Sequence, residues 1–399
     1  MRSASGARLR WLAVIVLVLS STLNYLDRMV LSALMPTIQT EFGLSRADIG
    51  ALVSAFSVVY AISSPLMGHL LDRAGLRFGT TLIVGLWSLA GMATGFAGSF
   101  LTLLFCRASL GFAEAGGVPA TGKGFAMYLH PKDRATGTAL NQVGLTIGSM
   151  SAPLLTEWMS ALYGWRSAFL VSGALGLAWI PLWLAVSKKA PVLTDLNPSG
   201  KGRVKEMLRD RRYIALVIAN LLAMTIYSLW TTWTTVFLVS SYGLTQQEAN
   251  LRYAWIPSIF ATLGGLVGAW LAHRDITGGA EVIRSRLRIA TGASIFALVT
   301  AIAPLAPGPS AAIAAICVSL FATTCLSVNY YALPLDMFGS VSAGFAVSFL
   351  TGFYGLMQAV LSPIIAASSE RYGWLPICAA IATMPLFSAL LLQLSFRKR

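Results

Sequence analysis

The chain has 399 residues, of which 56 % are apolar and only 11 % are charged, against about 25 % charged residues in an average soluble domain. This composition excludes an ordinary water-soluble enzyme and a disordered chain, because both need more charge to solvate their surface. The net charge of +14 does not indicate a nucleic-acid partner, since the basic residues lie between apolar stretches and not on one face.

A helix needs about 20 apolar residues to cross the hydrocarbon layer of a membrane, and the sequence contains twelve such stretches. In chain order, the predicted segments are 11–35, 46–71, 79–98, 100–128, 135–160, 166–186, 212–240, 250–272, 285–305, 309–334, 341–368 and 373–395. Short turns alone separate segments 3 and 4 and segments 9 and 10, so ten or eleven are alternative counts. The first run continues past Asp27 without a cleavage site, so we expect a retained helix and not a signal peptide.

Basic residues in the loops predict the orientation of the chain, because cytoplasmic loops of membrane proteins are enriched in Lys and Arg. With both termini in the cytoplasm, 22 of the 29 basic residues lie on the cytoplasmic side. Four lie in the outer loops, and three lie within membrane segments. We therefore expect a multi-pass membrane protein with two cytoplasmic termini, and this distribution accounts for the positive charge without an acidic partner.

The longest polar stretch separates segments 6 and 7. It divides the chain into an N-terminal part (1–187), a linker (188–211) and a C-terminal part (212–399). Short motifs recur in both parts, and the sequence FGLS at 42–45 returns as YGLT at 242–245. We interpret this as a duplicated six-helix unit. The predicted fold is an all-α membrane protein with twelve transmembrane helices in two pseudo-symmetric six-helix bundles.

Four ionisable residues stand out inside predicted membrane segments, where each is unfavourable by about 2.5–3.5 kcal/mol on insertion scales. They are Asp27 and Arg28 in segment 1 and Arg107 and Glu114 in segment 4. The positions 200 residues after Asp27 and Arg28 are uncharged, so this chemistry belongs to one half. A guanidinium fork suits a carboxylate substrate, and a carboxyl group without a full partner can carry a proton. The alternative is that Asp27–Arg28 and Arg107–Glu114 are structural ion pairs.

Aromatic, amide and hydroxyl side chains in other segments are candidates to complete a water-filled pocket. A single such residue in a membrane helix is equally consistent with packing. The candidates are Tyr25, Tyr60, Asn141, Gln142, Asn329, Tyr330, Tyr331 and Thr351.

The motif GHLLDRAGLR (68–77) follows segment 2 at its predicted cytoplasmic end. Gly68 permits close helix approach, and charged side chains of this loop can lock the two halves when the cavity faces outward. Arg134 is a candidate partner. The alternative is plain enrichment of cytoplasmic loops in basic residues. The predicted conformational gate consists of Gly68, Asp72, Arg73, Arg77 and Arg134.

Catalytic and metal-binding patterns are not found in the sequence. The three histidines lie near predicted helix ends and do not cluster, and the four cysteines fall in apolar runs without metal-ligand spacing. No nucleophile–base set accompanies them. We therefore expect a protein that is not an enzyme and needs no metal or cofactor.

The sequence resembles the major facilitator superfamily over essentially its whole length. GHLLDRAGLR is similar to the loop signature of that superfamily. NYLDR (24–28), RASLGFAEAGGVPATGK (107–123) and NQVGLTIG (141–148) are similar to its anion–cation symporter branch. That branch includes bacterial hexuronate, galactonate and glucarate transporters and vesicular organic-anion carriers. The resemblance implies the major facilitator fold.

The resemblance also implies roles for individual residues. Asp27 and Glu114 are implied as proton-coupling groups, Arg28 as a binding or gating residue and Arg107 as the ligand of the substrate carboxylate. Tyr25 and Tyr60 would line the N-terminal half of the pocket. The chain departs from the family pattern at Ser64, His273-Arg274, Tyr331 and Thr351. A smaller or less hydroxylated acid than a sugar acid would need fewer amide groups.

The resulting prediction is a monomeric symporter of a bacterial inner membrane that takes up an organic anion with protons by alternating access. The substrate is a carboxylate such as a sugar acid, and protons are the coupling ion. One alternative is a proton-driven exporter of drugs or metabolites on the same fold. Another is a facilitative channel or a membrane sensor.

Overall fold

The structure is a computed structural model that describes residues 2–130, 133–193, 207, 209–338 and 340–396. Within these ranges it does not describe the side chains of residues 2–5, 65, 72, 134, 135, 335, 338 and 340–348. The described chain is helical apart from short turns and contains no β-strand. The predicted all-α class is therefore confirmed.

The chain divides into two compact units, Met1–Asn197 and Pro198–Arg399, which we call the N-terminal and C-terminal units. The helices of the N-terminal unit are α1 (Arg2–Phe42), α2 (Arg46–Thr94), α3 (Phe100–Glu114), α4 (Gly117–Tyr128), α5 (Arg134–Tyr163) and α6 (Arg166–Lys189). Helix α2 contains the second and third predicted segments. It turns sharply at Gly75, whose φ of 74° a residue with a side chain rarely adopts.

Several helices of the C-terminal unit are interrupted where the sequence predicted one segment. Its helices are α7 (Arg211–Ala223), α8 (Thr225–Tyr242), α9 (Gln246–Ala249), α10 (Ile256–Thr277), α11 (Val282–Phe296), α12 (Pro309–Phe338), α13 (Ser340–Tyr372) and α14 (Trp374–Ser395). A π-helical turn, Asn250–Ala254, joins α9 to α10, and a 3₁₀ segment, Ala297–Leu305, continues α11. Met224 interrupts the predicted seventh segment between α7 and α8.

Eleven helical stretches of the described chain are long and apolar enough to cross a membrane, against twelve predicted segments. The remaining segment is α5, which forms a 30-residue helix as predicted. Its Ser, Thr, Asn and Gln residues lower its mean hydropathy, which sets it apart from the other spans. The prediction of a helix at this position is correct, although its hydropathy indicates a membrane span less strongly than that of the other helices does.

The fourth predicted segment is broken where the sequence predicted one continuous helix. Helix α3 ends at Glu114, and α4 begins at Gly117. The physical reason is Pro119, which has no backbone N–H to donate to the carbonyl of Ala115 four residues earlier. Gly116 lies at the break, where a Cβ atom would be 2.9 Å from Cγ1 of Ile83. The break leaves Glu114 at the end of α3.

The two units share their turn chemistry. The described residues with positive φ are all glycines, and they form three pairs at corresponding places in the two units: Gly43 and Gly243, Gly75 and Gly279, and Gly164 and Gly373. Capping boxes also correspond, with Ser45–Asp48 at the start of α2 and Thr245–Glu248 at the start of α9. Equivalent turns at equivalent positions support the interpretation of a duplicated unit.

The core of the N-terminal unit lies between α1, both parts of α2, and α6. Helix α1 packs on α4, α5 and α6, while α2 packs on α3 and α6. The indole of Trp179 donates to the carbonyl of Val16 (2.7 Å), and that of Trp183 donates to the carbonyl of Arg77 (3.1 Å). These two bonds connect α6 to α1 and to the turn within α2. This packing sets the positions of α1 and α3 around the site.

Candidate functional site: the charged cluster of the N-terminal unit

The four ionisable residues that stand out in the sequence lie together in the N-terminal unit. Asp27 and Arg28 are on α1, and Arg107 and Glu114 are on α3. We call these four residues the charged cluster. The exposed fractions are 2 % for Asp27, 3 % for Arg107 and 1 % for Glu114. Buried charges are unfavourable unless they are paired, so the pairing determines what each residue can do.

Arg28 and Glu114 form an ion pair between α1 and α3. Nε and Nη2 of Arg28 both donate to Oε2 of Glu114, at 3.0 and 2.9 Å. The partners differ from those of the structural alternative, in which Asp27 neutralises Arg28 and Arg107 neutralises Glu114. Adjacent residues on a helix do not face each other, and residues seven apart are separated by two turns, about 10 Å along the axis.

Arg107 has unengaged donors in a buried position. Its Nε and Nη1 atoms have no hydrogen-bond partner among the described residues. Its guanidinium carbon lies 4.8 Å from the centroid of the Phe56 ring. Asp27 and Glu114 act on Arg107 through their charge and not through a hydrogen bond. A guanidinium in this state can offer two parallel charged hydrogen bonds to an anion.

Asp27 is a buried carboxylate without a cation in contact. Neither of its oxygens accepts a hydrogen bond of normal geometry from the described residues. The Ser172 side chain lies beside it, but its hydroxyl donates to the carbonyl of Phe169 at 3.2 Å. Glu114 and Arg107 act on Asp27 through their charge, and no described guanidinium donates a hydrogen bond to it. Asp27 is thus the acid of the cluster whose charge is least compensated.

Three aromatic rings surround the guanidinium of Arg28. Its Cζ atom lies 5.2 Å from the ring centroid of Tyr25, 4.9 Å from that of Phe56 and 5.0 Å from that of Tyr60. Cation–π attraction of this kind contributes about 0.5–2 kcal/mol per ring. The sequence predicted that Tyr25 and Tyr60 line the N-terminal half of a substrate pocket. The structure places both rings beside Arg28, and their contact with a substrate stays a prediction.

Sequence reasoning missed Phe56, which touches both arginines of the cluster. Its ring stacks on that of Tyr60, with centroids 5.7 Å apart. The available signal was the spacing of four residues between Phe56 and Tyr60, which places both rings on one face of α2. Asn24 was also missed. It lies one turn before Asp27 on α1, and its buried Nδ2 atom has no hydrogen-bond partner among the described residues.

Glycines allow the helices around the cluster to approach closely. A Cβ atom on Gly111 would overlap the carbonyl oxygen of Phe56 and lie 3.1 Å from its carbonyl carbon. On α5, a Cβ atom on Gly148 would overlap the carbonyl of Thr22 and lie 3.1 Å from the nitrogen of Leu26. Gly111 thus allows α3 to pack closely on α2 midway between Arg107 and Glu114. Gly148 allows α5 to pack closely on α1 about one turn before Asp27.

We expect Gly111→Ala to destabilise the protein by about 1–3 kcal/mol, because the added methyl group meets backbone atoms that cannot rotate away. The measurement is the thermal unfolding midpoint of the purified protein in detergent. Gly122→Ala on α4 is the matched control, since no described atom lies within 4 Å of a Cβ atom there. Equal midpoints for the two variants would contradict the close approach of α3 to α2.

The other predicted pocket residues lie in different surroundings. Asn141 is half-buried on α5 with its Oδ1 atom unpartnered among the described residues, and Gln142 is exposed. Asn329 is fully buried in the C-terminal unit, where Nδ2 donates to the carbonyl of Cys325 at 2.9 Å. Tyr331 and Thr351 are half-buried in the same unit. The substrate contacts of these residues stay predictions.

The predicted gate is only partly covered by the described side chains. Those of Asp72 and Arg134 lie outside the described part of the chain. Arg73 is exposed, and Nη2 of Arg77 donates to the carbonyl of Leu184 at 3.4 Å. No described atom lies within 4 Å of a Cβ atom on Gly68. The role of this loop as a gate stays a prediction.

Lys123 joins α4 to the end of the first part of α2. Its Nζ atom donates to the carbonyl of Leu71 at 2.9 Å. Leu71 lies four residues before Gly75, so the bond supplies a donor to a carbonyl near the interruption of the helix. The side chain of Lys123 therefore has a structural partner next to the loop motif.

The sequence of the chain matches a known protein family. The family model described as Major Facilitator Superfamily matches residues 17–362. The chain belongs to the major facilitator superfamily. This is a family of transporters and not of enzymes, as the sequence predicted.

Similar members of this superfamily carry organic acids. The chain is 29 % identical to the hexuronate transporter of Escherichia coli (strain K12), over 98 % of this chain and 94 % of that protein. It is 28 % identical to a probable L-galactonate transporter of the same strain, over 91 % and 84 %. It is also 27 % identical to a probable sulfoacetate transporter of Cupriavidus necator, over 90 % and 87 %.

Solved structures support the major facilitator fold. A bacterial homologue of the human lysosomal transporter Spinster, in an inward-facing and unoccupied conformation, matches with a TM-score of 0.78 and 22 % identity over 97 % of each chain. The inward-facing and occupied conformation matches with a TM-score of 0.75 and 19 % identity over 96 % of each chain. The likeness at this identity concerns the fold alone.

Proposed function

We propose that this major facilitator protein is a proton-coupled symporter that takes up an organic anion with a carboxylate group by alternating access. The observation that carries the proposal is Arg107, a buried guanidinium in a membrane-spanning segment whose Nε and Nη1 donors are not engaged by any described carboxylate. An anionic substrate is supported by relatives named as a hexuronate transporter, a probable L-galactonate transporter and a probable sulfoacetate transporter.

Arg107 holds the substrate carboxylate in this proposal. Carboxylate oxygens match the planar guanidinium fork, and the low dielectric constant of a membrane interior strengthens the pairing. Arg28 is less available to an anion, because two of its nitrogens donate to Glu114. The two arginines therefore differ in role although both are cations of the same cluster.

Asp27 and Glu114 carry the protons. Asp27 lacks a hydrogen-bonded cation, so a proton removes a charge that nothing else in the cluster neutralises by contact. A proton on Glu114 releases Arg28 from its ion pair. In both cases protonation changes which guanidinium donors are free, and this links the binding of a proton to the binding of an anion.

Alternating access requires a loaded state that can close and reopen on the other side of the membrane. A cluster that holds a proton and an anion has no additional net charge, so closing it within the membrane is not opposed by an uncompensated ion. The loop 68–77 is the proposed gate.

The charge distribution of the loops supports a bacterial inner-membrane location with both termini in the cytoplasm. We also propose that the protein is a monomer.

The decisive experiment is uptake by the purified full-length protein in liposomes with an imposed pH gradient, acid outside. We expect accumulation of at least one acid from a panel of galacturonate, galactonate and sulfoacetate. Galactose is the matched control, because it has the hydroxyl groups of galacturonate without its carboxylate. Uptake of galactose, or binding of organic cations in place of the acids, would contradict an anion symporter and favour the exporter alternative.

A further inference from the structure

The charged cluster is balanced when it holds no substrate. It contains two carboxylates and two guanidiniums. The other titratable side chains that face it are the phenols of Tyr25 and Tyr60 and the thiol of Cys106, which are uncharged near neutral pH. In the C-terminal half, the sequence places its Asp, Glu, Lys and Arg residues near the ends of the membrane segments and not in their middle. In the N-terminal unit, two further charged residues lie in membrane helices outside the cluster: Glu157, buried on α5, and Lys123 on α4, whose Nζ atom donates to the carbonyl of Leu71. Neither belongs to the cluster, so an anion that binds in the cluster changes a charge balance set by its four residues.

The cluster contains two residues without a hydrogen-bonded charged partner, Arg107 and Asp27, and one hydrogen-bonded ion pair, Arg28–Glu114. We call the former the first couple and the latter the second couple, although Glu114 also acts on Arg107 through its charge. In the first couple, Arg107 has free donors and Asp27 accepts no hydrogen bond from the described residues. An anion can therefore bind Arg107 without displacing a carboxylate, and one proton on Asp27 restores the original charge. In the second couple, Arg28 is already bonded to Glu114 at 2.9 and 3.0 Å. An anionic group can take that place only when Glu114 leaves it.

We propose, building on the anion symport proposed above, that the number of protons carried equals the number of negative charges on the substrate. A monocarboxylate binds Arg107 and travels with one proton on a carboxylate oxygen of Asp27. A dicarboxylate places its second carboxylate on Arg28 and travels with a second proton, which Glu114 takes up as it releases the guanidinium. Each proton comes from one aqueous side and leaves to the other, so transport is electroneutral for both kinds of acid.

The physical reason is the free energy of an uncompensated charge inside the membrane. One extra charge at this depth is unfavourable by several kcal/mol even on insertion scales, so a cluster that must close while loaded favours the neutral combination. The aromatic rings of Tyr25, Phe56 and Tyr60 hold Arg28 in place by cation–π contact. The guanidinium can therefore exchange one carboxylate for another without leaving its position.

The test compares galacturonate with galactarate in liposomes that contain the wild-type full-length protein. These two sugar acids have the same number of carbon atoms but carry one and two carboxylates. Uptake of labelled acid and the accompanying proton flux are measured together, at a fixed pH gradient, with and without a potassium diffusion potential set by valinomycin. We expect proton-to-substrate ratios of about one and two, and accumulation that does not respond to the potential. A single uncompensated charge would change the accumulation ratio about 50-fold per 100 mV.

The outcomes separate the stoichiometry from the function. A fixed proton number for both acids, or accumulation that changes with the potential, overturns the equality while anion symport stands. Failure to take up any anion overturns the proposed function together with the equality. If galacturonate alone is carried, its transport still tests the equality. A proton-to-substrate ratio other than one, or accumulation that changes with the potential, overturns it. Asp27→Asn provides a second readout, since the protons carried with each galacturonate should fall from one to none.

Discussion

Arg107→Gln is expected to abolish specific anion binding. The substitution removes the guanidinium while leaving a side chain of similar polarity, so the substrate carboxylate loses its charged partner in a buried site. Removing one member of a buried, hydrogen-bonded charge pair costs about 2–5 kcal/mol, and each 1.4 kcal/mol corresponds to about a tenfold change in Kd. The measurement is the Kd of a transported acid for the purified protein by isothermal titration calorimetry.

Two variants control this prediction. Arg107→Lys keeps the charge but not the fork, and we expect binding between that of the wild type and that of Arg107→Gln. Arg371→Gln removes an exposed arginine outside the cluster and should leave Kd unchanged. An Arg107→Gln variant that is folded and binds the acid with the wild-type Kd would show that the anion site lies elsewhere.

Glu114→Gln is expected to give the largest change in both stability and coupling. The variant leaves the guanidinium of Arg28 without its counter-charge, and breaking a buried ion pair in this way costs about 3–5 kcal/mol. We expect the lower end of this range, because 19 % of the Arg28 side chain is exposed. Thermal unfolding in detergent measures the effect. In liposomes the same variant should carry each dicarboxylate with one proton in place of two.

The matched comparison is Glu41→Gln. Glu41 also pairs with an arginine, Arg166, but both side chains are about 40 % exposed (38 % and 40 %), so the loss should stay below about 1 kcal/mol. The double variant Arg28→Gln/Glu114→Gln should be more stable than the sum of the single effects predicts, since it leaves neither Arg28 nor Glu114 behind as a charge without its partner. Additive single effects would indicate that Arg28 and Glu114 do not stabilise each other.

The positions of the membrane helices could be predicted from the sequence because the hydrocarbon layer demands long apolar runs. Segments such as 166–186 and 373–395 correspond to α6 (Arg166–Lys189) and α14 (Trp374–Ser395). The interruptions were harder to predict. The break after Glu114 depends on the missing N–H of Pro119 and on Ile83, which approaches Gly116 from another helix.

The candidate site was predictable in its members but not in its pairing. Asp27, Arg28, Arg107 and Glu114 stand out because charge is rare in apolar segments. Sequence spacing suggested pairs within each helix, whereas the ion pair joins Arg28 on α1 to Glu114 on α3. The role of Phe56 was hard to predict, because phenylalanine is common in membrane helices. Only the structure shows that two guanidinium groups lie against its ring.

By itself, the sequence determined that this protein is a duplicated bundle of membrane helices with its buried charges confined to one half. That information is local, because apolar length, turn glycines and charge in hydrocarbon act within a single segment. The tertiary structure alone decided that Glu114 engages Arg28 while Arg107 and Asp27 keep free polar atoms. Which charged groups pair depends on how closely α1, α2 and α3 approach one another. That distance is set by contacts between residues far apart in the chain, such as Gly111 against Phe56.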